Sequence, residues 1–333
     1  MDSDHLSISS TEELGSKANQ SDQEISWAKS KINPSRFVVL RESDFSRLEC
    51  GRFLNDNLLE YGFFKLSQSL DSADANRIEL FPTFFYERLM STQNANICRW
   101  TKNTNIFDKR IQIYPINEIE HHWYIIVVVF PTNNEPYIAV LDSNTKAGKK
   151  EEVVFNIKNY LIGEHQRKSV KSISRNLIEE METLYPKVPQ QQDGSSCGLY
   201  ALYFVREIFQ RVMTDGFNSM FDDMFSWHKN KEYLGTLRYV LAKTIENEGA
   251  SQGYEYVKLP NLQYFPTSAE DNTFKNSKDI AKYAFFETSI SESDAGTDSK
   301  IPYQEYLRKK TENQLDYSFV WSYDGFPSDD EKS

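Results

Sequence analysis

A cysteine opens an apolar run in the segment Val188-Pro-Gln-Gln-Gln-Asp-Gly-Ser-Ser-Cys-Gly-Leu-Tyr200, and a glutamine, Gln191, stands six residues ahead of it. From Gly198 to Met213 the residues Leu199, Leu202, Tyr203, Val205, Ile208, Phe209 and Val212 recur at spacings of mostly three and four, the pattern of one buried helix face. Cys197 is thereby predicted at a helix N-terminus, where unpaired N–H groups and the positive end of the helix dipole favour an anion and hence a nucleophilic sulfur. A thiolate needs a proton acceptor, and the chain offers five histidines: His5, His121, His122, His165 and His228. His121 and His122 matter most. They precede Trp123-Tyr-Ile-Ile-Val-Val-Val-Phe130, a β-branched and aromatic run of the kind that forms a buried strand.

The elements that must position these groups follow from the same stretch. Pro131-Thr-Asn-Asn-Glu-Pro136 supplies turn chemistry, and Tyr137-Ile-Ala-Val-Leu141 forms a second strand ending at Asp142 and Ser143. Two strands joined in this way bring a histidine and an aspartate to one edge of a sheet. The aspartate would orient the imidazole while its other nitrogen faces Cys197, the logic of an activated nucleophile. Further strands are expected at Gln112 to Ile116 and Leu184 to Val188, and helices at Asp56 to Ser69, from Phe84, and around Leu234, Leu237, Val240, Leu241 and Ile245.

The order His122, Asp142, Gln191, Cys197, with His-Trp at a strand start, Leu-Asp-Ser closing the next strand and Pro189-Gln190-Gln191 leading into Cys197-Gly198, resembles the Ulp/SENP cysteine proteases that process ubiquitin-like proteins. Phe53-Leu54-Asn55-Asp56 resembles that family's Trp-Leu-Asn-Asp motif, and Phe84-Phe85-Tyr86-Glu87-Arg88-Leu89 its second helix. Arg99-Trp100-Thr101, Asp108 and Pro115-Ile116-Asn117 are similar to the branch that trims poly-SUMO chains. The likeness runs from Leu40 to Glu246, about two thirds of the chain.

This resemblance implies an α+β, papain-like fold with a central mixed sheet packed by helices and the catalytic cysteine at a helix N-terminus. It implies His122 as base, Asp142 as orienting acid, Gln191 as oxyanion donor alongside the Cys197 backbone N–H, and Cys197 as nucleophile. His121 is left without a role. Phe53 and Trp123 correspond to the aromatic floor and roof of a tunnel for the substrate's Gly-Gly tail, where glycine allows close approach. Asp56 corresponds to an acid that pairs with a basic residue of the ubiquitin-like partner. Phe53 stands where the family has Trp, and Asp193 and Ser196 stand where it has Asn and Asp; the latter pair bears on the rigidity of the loop before the nucleophile.

Taken singly, these residues read more plainly. A cysteine before an apolar helix is ordinarily a small buried hydrophobe, Leu-Asp-Ser at a strand end is ordinarily a turn, and Asp56 would charge the first turn of its helix. Their joint order carries the functional reading.

Composition bounds the rest. With 333 residues and 39% hydrophobic content the chain can bury a full core. Three irregularly spaced cysteines argue against a disulfide framework or a zinc site and suit a reducing compartment, so neither metal nor other cofactor is expected. The N-terminus lacks a secretory pattern, and the longest apolar run is well short of the ~18 residues that span a bilayer, so a soluble intracellular protein without a membrane role is expected. A net charge of −11 argues against nucleic acid and for partners with basic faces. The expected organisation is a disordered acidic tail at 1–33, a peptidase domain at 34–246 and an extension at 247–333, partly disordered around 288–300. The expected activity is cleavage of SUMO from lysine side chains or from poly-SUMO chains after Gly-Gly. The rivals are a protease for another ubiquitin-like modifier of Nedd type, an acetyltransferase with a similar residue order, and a module that binds ubiquitin-like proteins without cutting. Placement in the nucleus follows from the resemblance alone.

Overall fold

The computed structural model describes residues 22–91, 100–118, 122–132, 134–214 and 231–254. Its centre is a five-stranded sheet of β3 (Ile78–Leu80), β4 (Ile111–Glu118), β5 (His122–Val129), β6 (Tyr137–Leu141) and β7 (Glu182–Leu184), in that spatial order. The inner pairs β4–β5 and β5–β6 are antiparallel, whereas the outer pairs β3–β4 and β6–β7 are parallel. The inner strands are apolar almost throughout because both faces are covered. Alternation assigns the faces: Trp123, Ile125, Val127 and Val129 enter one core and Tyr124, Ile126 and Val128 the other.

On the first face lie α2 (Asp56–Ser67), α7 (Cys197–Thr214) and α8 (Lys231–Ser251), whose apolar stripes fill the larger core. The second face is covered by α4 (Phe85–Ser91), α5 (Glu151–Lys168) and α6 (Arg175–Glu179). The short helices α1 (Glu42–Phe45) and α3 (Ser72–Asn76) flank α2. This is the expected α+β arrangement, a mixed sheet between helices, with Cys197 as the first residue of α7.

A separate antiparallel pair, β1 (Glu24–Lys29) and β2 (Phe37–Arg41), packs against α2 and α8. Residues 24–29, expected in a disordered tail ending at 33, instead form β1. The strand buries Ile25, Ser26 and Ala28, and Gln252, just after α8, closes its edge. Its Oε1 accepts from Trp27 N at 2.9 Å and its Nε2 donates to Trp27 O at 2.8 Å, as a neighbouring strand would. Gly249 allows this approach, since a Cβ there would lie 2.2 Å from the Ile25 carbonyl oxygen.

Other boundaries moved for local reasons. β7 was expected at Leu184 to Val188 but pairs only over Glu182–Leu184, because Pro186 has no N–H to offer a ladder. The helix expected at Asp56 to Ser69 stops at Ser67, two residues sooner. The expected extension beyond 254, the first 21 residues, His121, His5, His228 and Cys98 lie outside the described residues.

Candidate active site

The register of β5 against β6 explains how a histidine and an acid twenty residues apart meet. Ile125 pairs with Leu141, so one step further sets Asp142 opposite Tyr124, on the sheet face that His122 shares. His122 Nε2 donates to Asp142 Oδ1 at 2.7 Å, which leaves Nδ1 for the Cys197 thiol, to which the ring is also hydrogen-bonded. The same Asp142 oxygen accepts from Asn144 N at 2.8 Å, so the turn after β6 fixes the carboxylate. Burial works against a charged His122 ring, but the hydrogen bonds and negative charge of Asp142 and Cys197 outweigh it and raise its pKa to about 9. The imidazole is thus held as imidazolium at neutral pH beside a cysteine that is only 1% exposed.

The loop before α7 is stapled to the strand end that carries Asp142. Gln191 N donates to Ser143 O at 2.9 Å, and Ser143 Oγ donates to Gln191 Oε1 at 2.7 Å, so the Gln191 amide NH2 points away from Ser143 as a donor; it reaches Asp193 O at 2.7 Å. Gln190 adds a second staple, donating to Asp142 O at 3.0 Å and accepting from Thr145 N at 2.9 Å. Asp193 and Ser196, the departures that bore on loop rigidity, bond one another. Asp193 accepts from Ser195 N, Ser196 N and Ser196 Oγ at 2.8, 2.7 and 2.6 Å. Although burial raises the Asp193 pKa, these donors and the Arg238 guanidinium bring it below the usual carboxylate value. Gly198 lets α7 start close to the chain leaving residue 53, because a Cβ there would lie 3.0 Å from that of Leu54.

Leu54 also links the two aromatic candidates. Trp123 is 2% exposed, and its indole N–H donates to Leu54 O at 2.9 Å, next in the chain to the half-buried Phe53. Asp56 follows the helix cap Asn55, whose side chain accepts from Leu58 N at 3.2 Å. Burial raises the Asp56 pKa, Glu60 and Glu87 add to the rise, and the Thr83 hydroxyl opposes it. No cation pairs with Asp56 among the described residues. His165 is structural: its Nε2 donates to Ile173 O at 2.8 Å.

Comparison with known proteins follows the same residues. The profile of the "Ulp1 protease family, C-terminal catalytic domain" matches residues 53–234, more than half of the chain. The chain belongs to the Ulp1 protease family. Ubiquitin-like-specific protease 2 of Schizosaccharomyces pombe is 30% identical over 218 residues, which cover 52% of this chain and 33% of the relative. Sentrin-specific protease 7 of Mus musculus is 26% identical over 245 residues, covering 50% of this chain and 23% of the relative. The chain therefore matches a third or less of the length of these curated relatives. Among solved structures, a de-sumoylating protease superposes with a TM-score of 0.54 at 21% identity over 68% of this chain and 92% of its own. The C-terminal Ulp1 protease domain in complex with Smt3, the yeast ortholog of SUMO, gives 0.51 at 18% identity over 69% and 90%. Both establish the fold.

Some side chains around the site of this Ulp1-family domain escape a reading of its motifs. Gln190, which has no role of its own in the motif, ties the loop before Cys197 to Asp142. Arg238, beyond the matched span, donates from α8 to the Arg47 and Glu49 carbonyls at 3.1 and 3.3 Å, facing Asp193 and Cys197 electrostatically. Lys150, just before α5, lies 2.8 Å from Glu118 Oε2 and 3.7 Å from Asp142 Oδ2. The only sequence signal for Lys150 is its place before an amphipathic stretch, where a solvated lysine is the usual reading.

Proposed function

We propose that the protein is a thiol isopeptidase that cleaves after the C-terminal Gly-Gly of SUMO, releasing it from lysine side chains of conjugated proteins or from poly-SUMO chains. The observation that carries this reading is His122, hydrogen-bonded to Asp142 Oδ1 through Nε2 at 2.7 Å and also to the Cys197 side chain, with its pKa raised to about 9. The names of the relatives and the Smt3 complex of a structural neighbour support the choice of modifier.

The Cys197 sulfur attacks the carbonyl carbon of the terminal glycine and its electron pair moves onto oxygen. The Gln191 amide N–H and the Cys197 backbone N–H, at the start of α7, stabilise that oxyanion. On collapse the C–N bond breaks, His122 gives its proton to the departing lysine amine, and a thioester remains. A water molecule then attacks the thioester, His122 takes the water proton, and the thiolate leaves as the glycine carboxylate forms. Phe53 and Trp123, joined through Leu54, flank the Gly-Gly tail. Asp56, half-buried and without a cationic partner among the described residues, receives a basic residue of the modifier. The peptidase domain is read as residues 34–246 with β1 (Glu24–Lys29) and the end of α8 (to Ser251) added, and the remaining residues as extensions. Placement in the nucleus rests on the family; among the described residues no helix is long and apolar enough to cross a membrane.

The test is hydrolysis of lysine-containing peptides isopeptide-linked to SUMO, Nedd-type modifier or ubiquitin, presented side by side. Release from SUMO alone supports the reading. Release only from another modifier reassigns the substrate, and binding without release from folded protein overturns the catalytic assignment.

A further inference from the structure

His122 stands between two carboxylates, of which the proposed mechanism uses one. Glu118 is its direct partner across the β4–β5 ladder, and Asp142 accepts from its ring on the other side. Lys150 joins the two. Its side chain is 5% exposed, and its ammonium lies 2.8 Å from Glu118 Oε2, 3.7 Å from Asp142 Oδ2 and 4.8 Å from the Tyr124 ring centroid. Asp142 Oδ2 is buried and accepts no hydrogen bond among the described residues, so this ammonium is the positive group it faces. Tyr124 completes the cluster, donating its hydroxyl to Glu118 Oε1 at 3.0 Å while its ring stacks on that of His122 with centroids 5.9 Å apart.

We infer that Lys150 is a positioning residue that divides its charge between Glu118 and Asp142 and thereby sets how much negative charge His122 experiences. The inference deepens the proposed function and rests on its assignment of His122 as the general acid and base. A lysine is seldom buried without partners, and one shared between two acids can be drawn to either. Remove Glu118's charge and the ammonium neutralises Asp142 more fully, so the imidazolium loses support. Remove the ammonium and both carboxylates act on His122 unopposed, so the imidazolium gains support. The two substitutions therefore move His122 in opposite directions.

The other groups facing the cluster stay as they are in both cases. Burial beside Glu118 drives the Tyr124 phenol far above its ordinary pKa, so it remains neutral, and burial also raises Tyr86 of α4. Tyr185, after β7, lies beside Lys149 and Glu151. Cys197 of α7 bonds His122 directly, and Arg238 of α8 faces Cys197.

The experiment is an NMR titration of the full chain with 13C-labelled histidine, with the His122 signal assigned by its loss in His122→Gln. The variants are Lys150→Met, Lys150→Arg, Glu118→Gln and the Lys150→Met/Glu118→Gln pair. The His122 midpoint is expected to rise by about one pH unit in Lys150→Met and to fall by about as much in Glu118→Gln. It should stay near the wild-type value in Lys150→Arg and return towards it in the pair. The alkaline limb of kcat/KM should follow the same order. Midpoints that stay put, or that move in the same direction in both single variants, overturn the inference. Lys150→Gln, which keeps a polar head group at the buried position while removing the charge, carries the test should Lys150→Met fail to fold, and its midpoint is likewise expected to rise. The titration needs no substrate, so a protein that binds but does not cleave SUMO would defeat the proposed function while the His122 midpoints still decide the role of Lys150.

Discussion

Replacing Asp142 by asparagine separates the orientation of His122 from its charge. The asparagine carbonyl can keep both bonds now made by Oδ1, from His122 Nε2 at 2.7 Å and from Asn144 N at 2.8 Å, so the ring should keep its tautomer and place. The negative charge is lost. Burial opposes the charged ring, and the hydrogen bonds and charges of both Asp142 and Cys197 raise its pKa from 6.5 to about 9, so in Asp142→Asn the midpoint should fall from about 9 in the direction of 6.5 while Cys197 still supports the charge. At pH 8 a group with a midpoint near 9 is about nine-tenths protonated and one with a midpoint near 6.5 about 3%, so the loss of imidazolium is at most about thirty-fold. At pH 6 the same comparison gives a loss of only about 1.3-fold. The assay is kcat/KM on a SUMO isopeptide substrate at both pH values, with circular dichroism to verify folding. A deficit at pH 8 that largely closes at pH 6 is the expected result. An equal deficit at both, or an alkaline limb that stays near pH 9, would refute the claim that Asp142 acts by holding His122 charged.

Three further outcomes follow from the same geometry. Gln191→Ala should lower kcat by about 100-fold with little change in substrate affinity, since it removes an oxyanion donor whose orientation Ser143 fixes; an unchanged kcat would make Gln191 a loop residue only. Gly198→Ala should destabilise the domain by about 1–3 kcal/mol in urea unfolding, because the new Cβ would press on Leu54 at 3.0 Å, and wild-type stability would show that the loop yields freely. His122 binds its proton more tightly in the folded chain than its ordinary value of 6.5, so its contribution to stability is full below about 6.5 and is lost as pH rises through about 9. Tm should decline across that window and do so less in Asp142→Asn; identical pH profiles would contradict this account.

How much of the site could be read in advance differs from residue to residue. His122, Asp142 and Cys197 are visible because each sits beside a local signal, a strand start, a strand end and a helix start, whereas Gln191 enters only through the family resemblance. Antiparallel pairing then does the rest, since the register that joins Ile125 to Leu141 brings Asp142 to the face of His122. Lys150, Gln190 and Arg238 have no such signal, and only tertiary packing brings them to the site from the start of α5, the loop and α8. The helix α5 itself could have been found, because Val153, Val154, Ile157, Tyr160 and Leu161 keep helical spacing. The strand β1 is harder. Its six residues include Glu24, Ser26 and Lys29 and are short of apolar weight, and the strand depends on β2, α8 and Gln252 for its partners.

The central claim is that Cys197 carries the reaction, and covalent capture tests it most directly. SUMO bearing a thiol-reactive group at its C-terminal glycine is incubated with the purified full chain and with Cys197→Ala, a Nedd-type probe is run in parallel, and the adduct is digested and mapped by mass spectrometry. The account predicts a one-to-one SUMO adduct on the peptide that contains Cys197, absent from Cys197→Ala. An adduct on Cys50 or Cys98, or no adduct from folded protein with either probe, would contradict it.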